Sequence, residues 1–151
     1  MEINVKMNVK AEEMYSVLMS SLKYDIKQAI GVEMAIDQIK EGFSYSKILK
    51  NKIGHAANSK ALITKLEENK RYEAQFTTSR GVNIVTYDIK EISENEIKVI
   101  YSEDYLAINK NKDLNFKLMN FFFKRGIKKK AYSLLQMMEE HITLEKEKNI
   151  I

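Results

Sequence analysis

The stretch KDLNFKLMNFFFKRGIKKKAYSLLQMMEEHITLEKE, residues 112–147, decides the fold because it predicts one long helix without a proline to interrupt it. At 100° per residue one face of this helix is apolar, and it consists of Phe116, Met119, Phe123, Ile127, Ala131, Leu134, Met138 and Ile142. A helix of this length spans about 50 Å, enough to cross a small domain. We therefore expect the preceding residues to form a sheet that packs against this face.

The first half of the same helix has a second apolar stripe on nearly the opposite side, formed by Leu114, Leu118, Phe121 and Phe122. A basic run that starts with Lys124 and Arg125 follows it. One sheet cannot bury both stripes. Either loops cover the second stripe and the lysines are a solvated face, or the two form an interaction surface. A second copy of the chain, a partner protein or a membrane surface would then bind there.

The composition describes an ordinary globular protein of 151 residues, with 44% hydrophobic and 30% charged residues. This length predicts a single domain over residues 1–151. The absence of cysteine excludes disulfides and thiolate metal sites. Because no signal peptide or membrane-spanning run is recognisable, we expect a cytoplasmic protein. Lysines and glutamates are interspersed through most of the chain, and the basic excess behind the net charge of +4 lies mainly in the final helix. We therefore expect no nucleic-acid partner and keep nucleic-acid binding only as a weak alternative.

The beginning of the chain combines one strand with helices. Residues 3–9 alternate between apolar and polar side chains, which indicates a half-buried strand. Ala11 begins a helical pattern that ends near Gly31, and residues 34–40 are compatible with one more short helix.

From Phe43 to Tyr105 the hydrophobic period changes to two, which predicts an antiparallel meander of about five strands. Turns are expected at residues 67–70, 78–81 and 93–95, and a loop is expected over residues 50–58. The predicted order is thus strand, helices, meander and long helix.

This order and several short motifs resemble the helix-grip fold of the START and pollen-allergen (SRPBCC) superfamily, and within it a bacterial family of uncharacterised domains. The motifs are Tyr24-Asp25-Ile26 with Gly31, Phe43-Ser44-Tyr45, Ile63-Thr64-Lys65, Tyr72, Phe76-Thr77-Thr78-Ser79-Arg80-Gly81 and Tyr87-Asp88-Ile89. The resemblance covers nearly the whole chain. It implies an α+β fold in which a curved antiparallel sheet of about six strands wraps round the C-terminal helix, often with a cavity between them. It implies no reaction.

Strand alternation places several aromatic and amide side chains on the face that meets the helix. These side chains are Tyr45, Tyr72, Phe76, Asn83, Tyr87 and Tyr101. Together with Arg80 at the hairpin tip and Phe123 of the final helix, they form the candidate ligand-binding set. Aromatic rings with hydroxyl tips suit a pocket that is mostly apolar, although alternating aromatics also build an ordinary sheet core. The guanidinium of Arg80 is suited to a phosphate or carboxylate, although turn chemistry alone accounts for its neighbours Ser79 and Gly81.

The sequence contains no recognisable catalytic, metal or cofactor motif. The two histidines, His55 and His141, have no partner at ligand spacing, so we expect no metal. We interpret His141 as a partly buried packing residue. Glu103 falls on the inward face of the last strand, where a carboxylate could act as a general acid or base. Pairing with a lysine at the rim is the simpler interpretation.

Three functional hypotheses follow. The first is a domain that binds a small apolar or amphipathic ligand, without a cofactor, in a cavity between the sheet and the C-terminal helix. The second is an interaction module that acts through the second stripe, as a homodimer, with a partner protein or in weak contact with a membrane surface. The third is a hydrolase or cyclase that uses Glu103, and it has the least support.

Overall fold

The computed structural model describes residues 1–50, 56–107 and 113–149, without the side chains of Lys50 and residues 113–125. The elements follow one another in the predicted order of a strand, helices, a meander of strands and a long helix. Its elements are β1 (Glu2–Met7), α1 (Ala11–Ile30), a 3-10 helix (Ile36–Gln38), β2 (Ser44–Lys50), β3 (Ala56–Glu67), β4 (Arg71–Thr78), β5 (Gly81–Ser93), β6 (Glu96–Ala107) and α2 (Asp113–Asn149).

The six strands form one antiparallel sheet in the order β1-β6-β5-β4-β3-β2. Strands β2 to β6 follow one another as a meander, and β1 pairs with β6, so that Ile3 lies opposite Tyr101. The first strand and the second strand of the chain therefore lie at opposite edges of the sheet. The predicted loop at residues 50–58 was too long, because β2 continues to Lys50 and β3 already begins at Ala56.

Helix α1 connects these two edges and packs against β2 and α2. Its inward side is apolar at helical spacing, and the buried residues are Met14, Leu18, Met19, Leu22 and Ile26. Gly31 ends the helix with φ of 71°, a left-handed conformation that glycine adopts at little cost, and its N–H bonds the carbonyl of Lys27.

Gly81, which begins β5, is needed because the backbone of β6 approaches it closely. A Cβ atom at this position would lie 2.3 Å from the carbonyl oxygen of Leu106. The sequence had suggested turn chemistry as the reason for this glycine. The structure adds a steric reason that belongs to the sheet and not to the turn.

The described part of α2 buries four residues, Ala131, Leu135, Met138 and Ile142, and the helix packs against β1 and α1. The predicted stripe was wrong at one position. Leu134 is 39% exposed, whereas Leu135 is fully buried. The buried residues Ala131, Leu135 and Met138 are spaced by four and then three positions, whereas the predicted set was spaced by three and then four. Both spacings fit a helical period of 3.6 residues, so only the side of the helix that meets its neighbours distinguishes them. No helix in the described ranges is long and apolar enough to cross a membrane.

Helices α1 and α2 are also joined by an ion pair near the start of α1. The Glu13 carboxylate accepts a hydrogen bond from the Lys10 N–H at 2.8 Å and lies 2.8 Å from Lys146 Nζ. Burial works to raise the pKa of the Glu13 carboxyl, but the hydrogen bonds and charges of Lys146 and Lys10 outweigh it and hold the pKa below its usual value.

We expect Leu135→Ala to lower the free energy of unfolding by about 2–5 kcal/mol, since it leaves a cavity under α2. The matched variant Leu134→Ala should cost less than about 1 kcal/mol because its side chain is largely in water. Urea unfolding followed by circular dichroism measures both. Equal losses, or a larger loss for Leu134→Ala, would mean that α2 presents a different face to the sheet.

We also expect Glu13→Gln to lower the free energy of unfolding at pH 7 by about 1 kcal/mol. A carboxyl whose folded pKa is lowered stabilises the fold above its ordinary value of 4.5 and loses this contribution as the pH falls through the folded pKa. The difference between the wild type and the variant should therefore shrink below pH 4.5.

Glu12→Gln is the control for this experiment, since Glu12 lies in the same helical turn but is exposed. It reports the interaction with the helix dipole alone. If Glu12→Gln costs as much as Glu13→Gln at pH 7, the Lys146 ion pair contributes nothing.

Candidate functional site

A row of three tyrosines crosses the face of the sheet that meets the helices, which we call the inner face. Cross-strand pairing aligns Tyr72 of β4 with Tyr87 of β5, and Tyr87 with Tyr101 of β6. The ring centroids are 5.9 Å apart for the first pair and 4.8 Å apart for the second. Tilted and edge-on contacts of this kind are favourable aromatic arrangements. The row forms one wall of the candidate site.

Coverage of the inner face decreases along the strands from one end to the other. Ile97 and Val99 of β6 are fully buried, as is Ile89 of β5. Two rows beyond Ile89, on the same strand, Val85 is only half-buried. The residues near Val85 share this partial burial, and they are Phe76, Asn83 and Glu103. At the other end of the strands the inner face is therefore incompletely covered on β4, β5 and β6, whereas Ala61 of β3, the cross-strand partner of Phe76, is fully buried.

A polar cluster joins the end of α1 to β2. The carboxylate of Asp25 accepts a hydrogen bond from the Tyr45 hydroxyl and two from Lys47 Nζ, at 2.8 and 2.9 Å. The Lys47 ammonium group also lies 5.4 Å from the centre of the Phe76 ring. The alternation of β2 puts Tyr45 and Lys47 on the inner face, and α1 supplies the opposite charge.

A second polar contact lies on β6, where the Tyr101 hydroxyl donates a hydrogen bond to the half-buried carboxylate of Glu103. The sequence had suggested that Glu103 pairs with a lysine. Its side-chain partner in the described structure is Tyr101, two residues earlier on the same strand face. The N-terminal ammonium group bonds the main-chain carbonyl of Glu103 at 2.9 Å.

Burial raises the pKa of the four inner-face tyrosines, Tyr45, Tyr72, Tyr87 and Tyr101. Hydrogen bonds to Asp25 and Glu103 raise the pKa of Tyr45 and Tyr101 further. All four hydroxyls therefore stay protonated at neutral pH and can donate hydrogen bonds. The Tyr72 and Tyr87 hydroxyls have no hydrogen-bond partner among the described side chains, which leaves them available to a ligand.

The structure brings together six of the eight predicted pocket residues. Tyr45, Tyr72, Phe76, Asn83, Tyr87 and Tyr101 all belong to the inner face by register. Arg80 is instead exposed on the two-residue turn between β4 and β5, where its N–H bonds the Thr78 hydroxyl. Phe123 lies outside the described side chains.

The predicted interaction surface also lies outside the described side chains, so its use stays a prediction; it comprises Leu114, Leu118, Phe121, Phe122, Lys124 and Arg125. His55 lies outside the described residues. His141 was predicted to be partly buried, which is wrong: it is exposed on α2. The neighbouring Ile142 is buried, as its place on the predicted apolar face implied.

Sequence reasoning missed two inner-face residues, Lys47 and Ser59, and the α1 residue Asp25 that bonds Lys47. Lys47 follows Tyr45 by two positions, so strand alternation alone was enough to find it. Ser59 lies between the predicted loop and Ala61, the first residue that marked the next strand, and because β3 already begins at Ala56 it pairs with Lys47. Asp25 belonged to a quoted motif, but its partner on β2 depends on where α1 lies on the sheet.

Comparisons with known proteins agree with this architecture. A protein of unknown function from Staphylococcus aureus is 12% identical, with a TM-score of 0.64 over 98% of this chain and 96% of that chain. A START superfamily protein from Mycobacterium smegmatis is 10% identical, with a TM-score of 0.62 over 93% and 97% of the two chains. Ara h 8.0201 is 10% identical, with a TM-score of 0.63 over 95% and 96%.

At these identities the likeness concerns the fold, which is the helix-grip fold of the START/SRPBCC superfamily that the sequence motifs implied. None of the curated proteins matches the sequence. The sequence model of the domain of unknown function DUF3284 matches residues 1–124, most of the chain, and the protein belongs to this family.

Proposed function

We propose that this protein binds a small, mostly apolar ligand between the inner face of its sheet and α2. The observation that carries the proposal is the half-burial of Val85. Val85 lies on β5, with β4 and β6 paired on its two sides, and the next two residues of the same strand face, Tyr87 and Ile89, are buried. A ligand against Val85 would complete the burial.

The surroundings of Val85 suit an apolar body. Its cross-strand partners are Ala74 on β4 and Glu103 on β6, and the half-buried ring of Phe76 belongs to the next row of β4. Covering apolar surface stabilises a complex by about 25 cal/mol per Å². An apolar ligand therefore gains binding energy from the same surface that the fold leaves incompletely covered.

Polar groups at the border of this surface would orient the ligand. The Tyr72 and Tyr87 hydroxyls are protonated donors, and the Asn83 amide lies directly opposite Phe76. Sites for small molecules commonly combine apolar walls with a few such groups. Arg80, on the exposed turn, is a candidate only for the outer end of a ligand.

In the variant Val85→Trp, we expect the larger side chain to occupy the position where the ligand would lie against the inner face. We expect the variant to reduce the affinity for 2-ethylnaphthalene, a purely apolar probe, by at least about tenfold, which is 1.4 kcal/mol. Titrations followed by ¹H–¹⁵N chemical shifts would give both the affinity and the residues that respond. In the wild type, the largest shifts are expected in β4 and β5 around Phe76 and Val85.

Val82→Trp is the matched control, because Val82 lies on the same strand with its side chain on the opposite face. It should leave the affinity for the probe unchanged. A wild type that does not bind 2-ethylnaphthalene, or a Val85→Trp variant that binds it as well as the wild type, would contradict the proposed function.

A further inference from the structure

A cleft of about 620 Å³ opens beside β2, β3 and β4 near the end of α1, with Ala29, Lys47 and Ser59 in its walls. Residues of the opposite strand parity also line it, and they are Ser46, Ile48, Asn58, Lys60, Thr77 and Ser79. This volume lies within the range of about 300–1,000 Å³ that is usual for small-molecule sites. Lys47 and Ser59 are cross-strand partners, on the inner face one row beyond Tyr45 and Ala61. The cleft therefore borders the apolar surface around Phe76.

The charge of Lys47 is already compensated. Its ammonium group bonds both carboxylate oxygens of Asp25, at 2.8 and 2.9 Å, and faces the ring of Phe76. An ammonium group has three N–H donors, so one of them remains after the two bonds to Asp25. Lys47 thus offers a fixed donor with little net charge.

Ser59 is an unusual residue for a sheet interior. It is only 4% exposed, and its hydroxyl has no hydrogen-bond partner among the described residues. A buried hydroxyl without a partner costs free energy, and native proteins contain few of them. Since Ala61 and Ile63 on the same strand face are apolar and fully buried, packing alone gives no reason for a serine here.

We propose that Lys47 and Ser59 together bind one uncharged oxygen atom, a carbonyl or a hydroxyl, at the end of a ligand whose apolar body lies against Phe76. This inference rests on the proposed function and adds the chemical class of the ligand. The Ser59 hydroxyl is enclosed in the described conformation, so the proposed bond requires rotation about χ1 to a staggered position that faces the cleft.

Charge distinguishes an uncharged oxygen from a carboxylate. A ligand carboxylate at Lys47 would lie close to the carboxylate of Asp25, and like charges in a partly buried site repel each other. Lys60 also lines the cleft and its charge acts against this repulsion, but Lys60 is exposed, so water and salt weaken its effect. The site therefore favours a ketone or an alcohol over the corresponding acid.

Three probes of nearly equal shape test this inference: 2-acetylnaphthalene, 2-naphthoate and 2-ethylnaphthalene. Titration calorimetry with the full chain should rank the ketone above both the carboxylate and the hydrocarbon. Ser59→Ala should weaken binding of the ketone by about fivefold, the effect of one hydrogen bond, and leave the hydrocarbon unchanged. Ser44→Ala, an exposed position of β2 outside the cleft, should alter neither.

The stability of the same variant gives a second readout that does not depend on any ligand. Because Ser59→Ala removes an unpaired buried hydroxyl, its urea midpoint should equal or exceed that of the wild type. A lower midpoint would mean that the hydroxyl has a structural role, which would overturn the inference.

The outcomes separate this inference from the proposed function. Suppose that 2-ethylnaphthalene binds and that Val85→Trp blocks its binding. If Ser59→Ala then affects all three probes equally, or none of them, the proposed function is supported and the oxygen site is wrong. Tighter binding of 2-naphthoate than of the ketone would also overturn the oxygen site, in favour of an anion site. If none of the three probes binds, both proposals fail.

Discussion

The packing of α2 against the sheet is the interaction on which the other features depend. Four buried residues of its described half, from Ala131 to Ile142, press the helix against β1 and α1. Of these four, Leu135, Met138 and Ile142 each contribute about 1.5–3 kcal/mol relative to exposure. The helix thereby completes the core where it meets β1 and α1.

The other end of the inner face is covered less completely. Among the described side chains of α2, the buried ones lie between Ala131 and Ile142, and the main contacts of the helix are with α1 and with β1, an edge strand of the sheet. The half-burial of Phe76 and Val85 marks where coverage decreases. Polar groups lie at the border of this region, with the Asp25–Lys47 pair on one side and Tyr101–Glu103 on the other. Such an arrangement suits an amphipathic molecule that completes the apolar contact.

Local patterns in the sequence were sufficient for most of the fold, because sheet and helix periodicities are properties of short segments. The alternation from Tyr72 to Thr78 and from Asn83 to Ile89 predicted two paired strands, and their pairing aligned the tyrosines correctly. The choice between Leu134 and Leu135 could not be made in this way. Both satisfy a helical period, and only the position of the sheet decides which is buried.

The residues of the site could be predicted from the sequence only where the alternation of a single strand determines which face a side chain occupies. Tyr45, Tyr87 and Tyr101 followed from alternation. The contact of Asp25 with Lys47 spans 22 residues and depends on how α1 crosses the sheet, which no local pattern encodes. Ser59 was hidden by a wrong strand boundary. The unpaired state of its hydroxyl is a property of three-dimensional packing that a sequence does not carry.

Native mass spectrometry of the protein purified from cells, repeated after denaturation, tests most directly whether the inner face holds a ligand. We expect extra mass on the wild type that disappears on denaturation and is missing from Val85→Trp. A wild-type chain that stays bare, both as purified and after incubation with an organic extract of the same cells, would contradict this expectation. In that case the half-covered inner face would be a packing defect and not a ligand site.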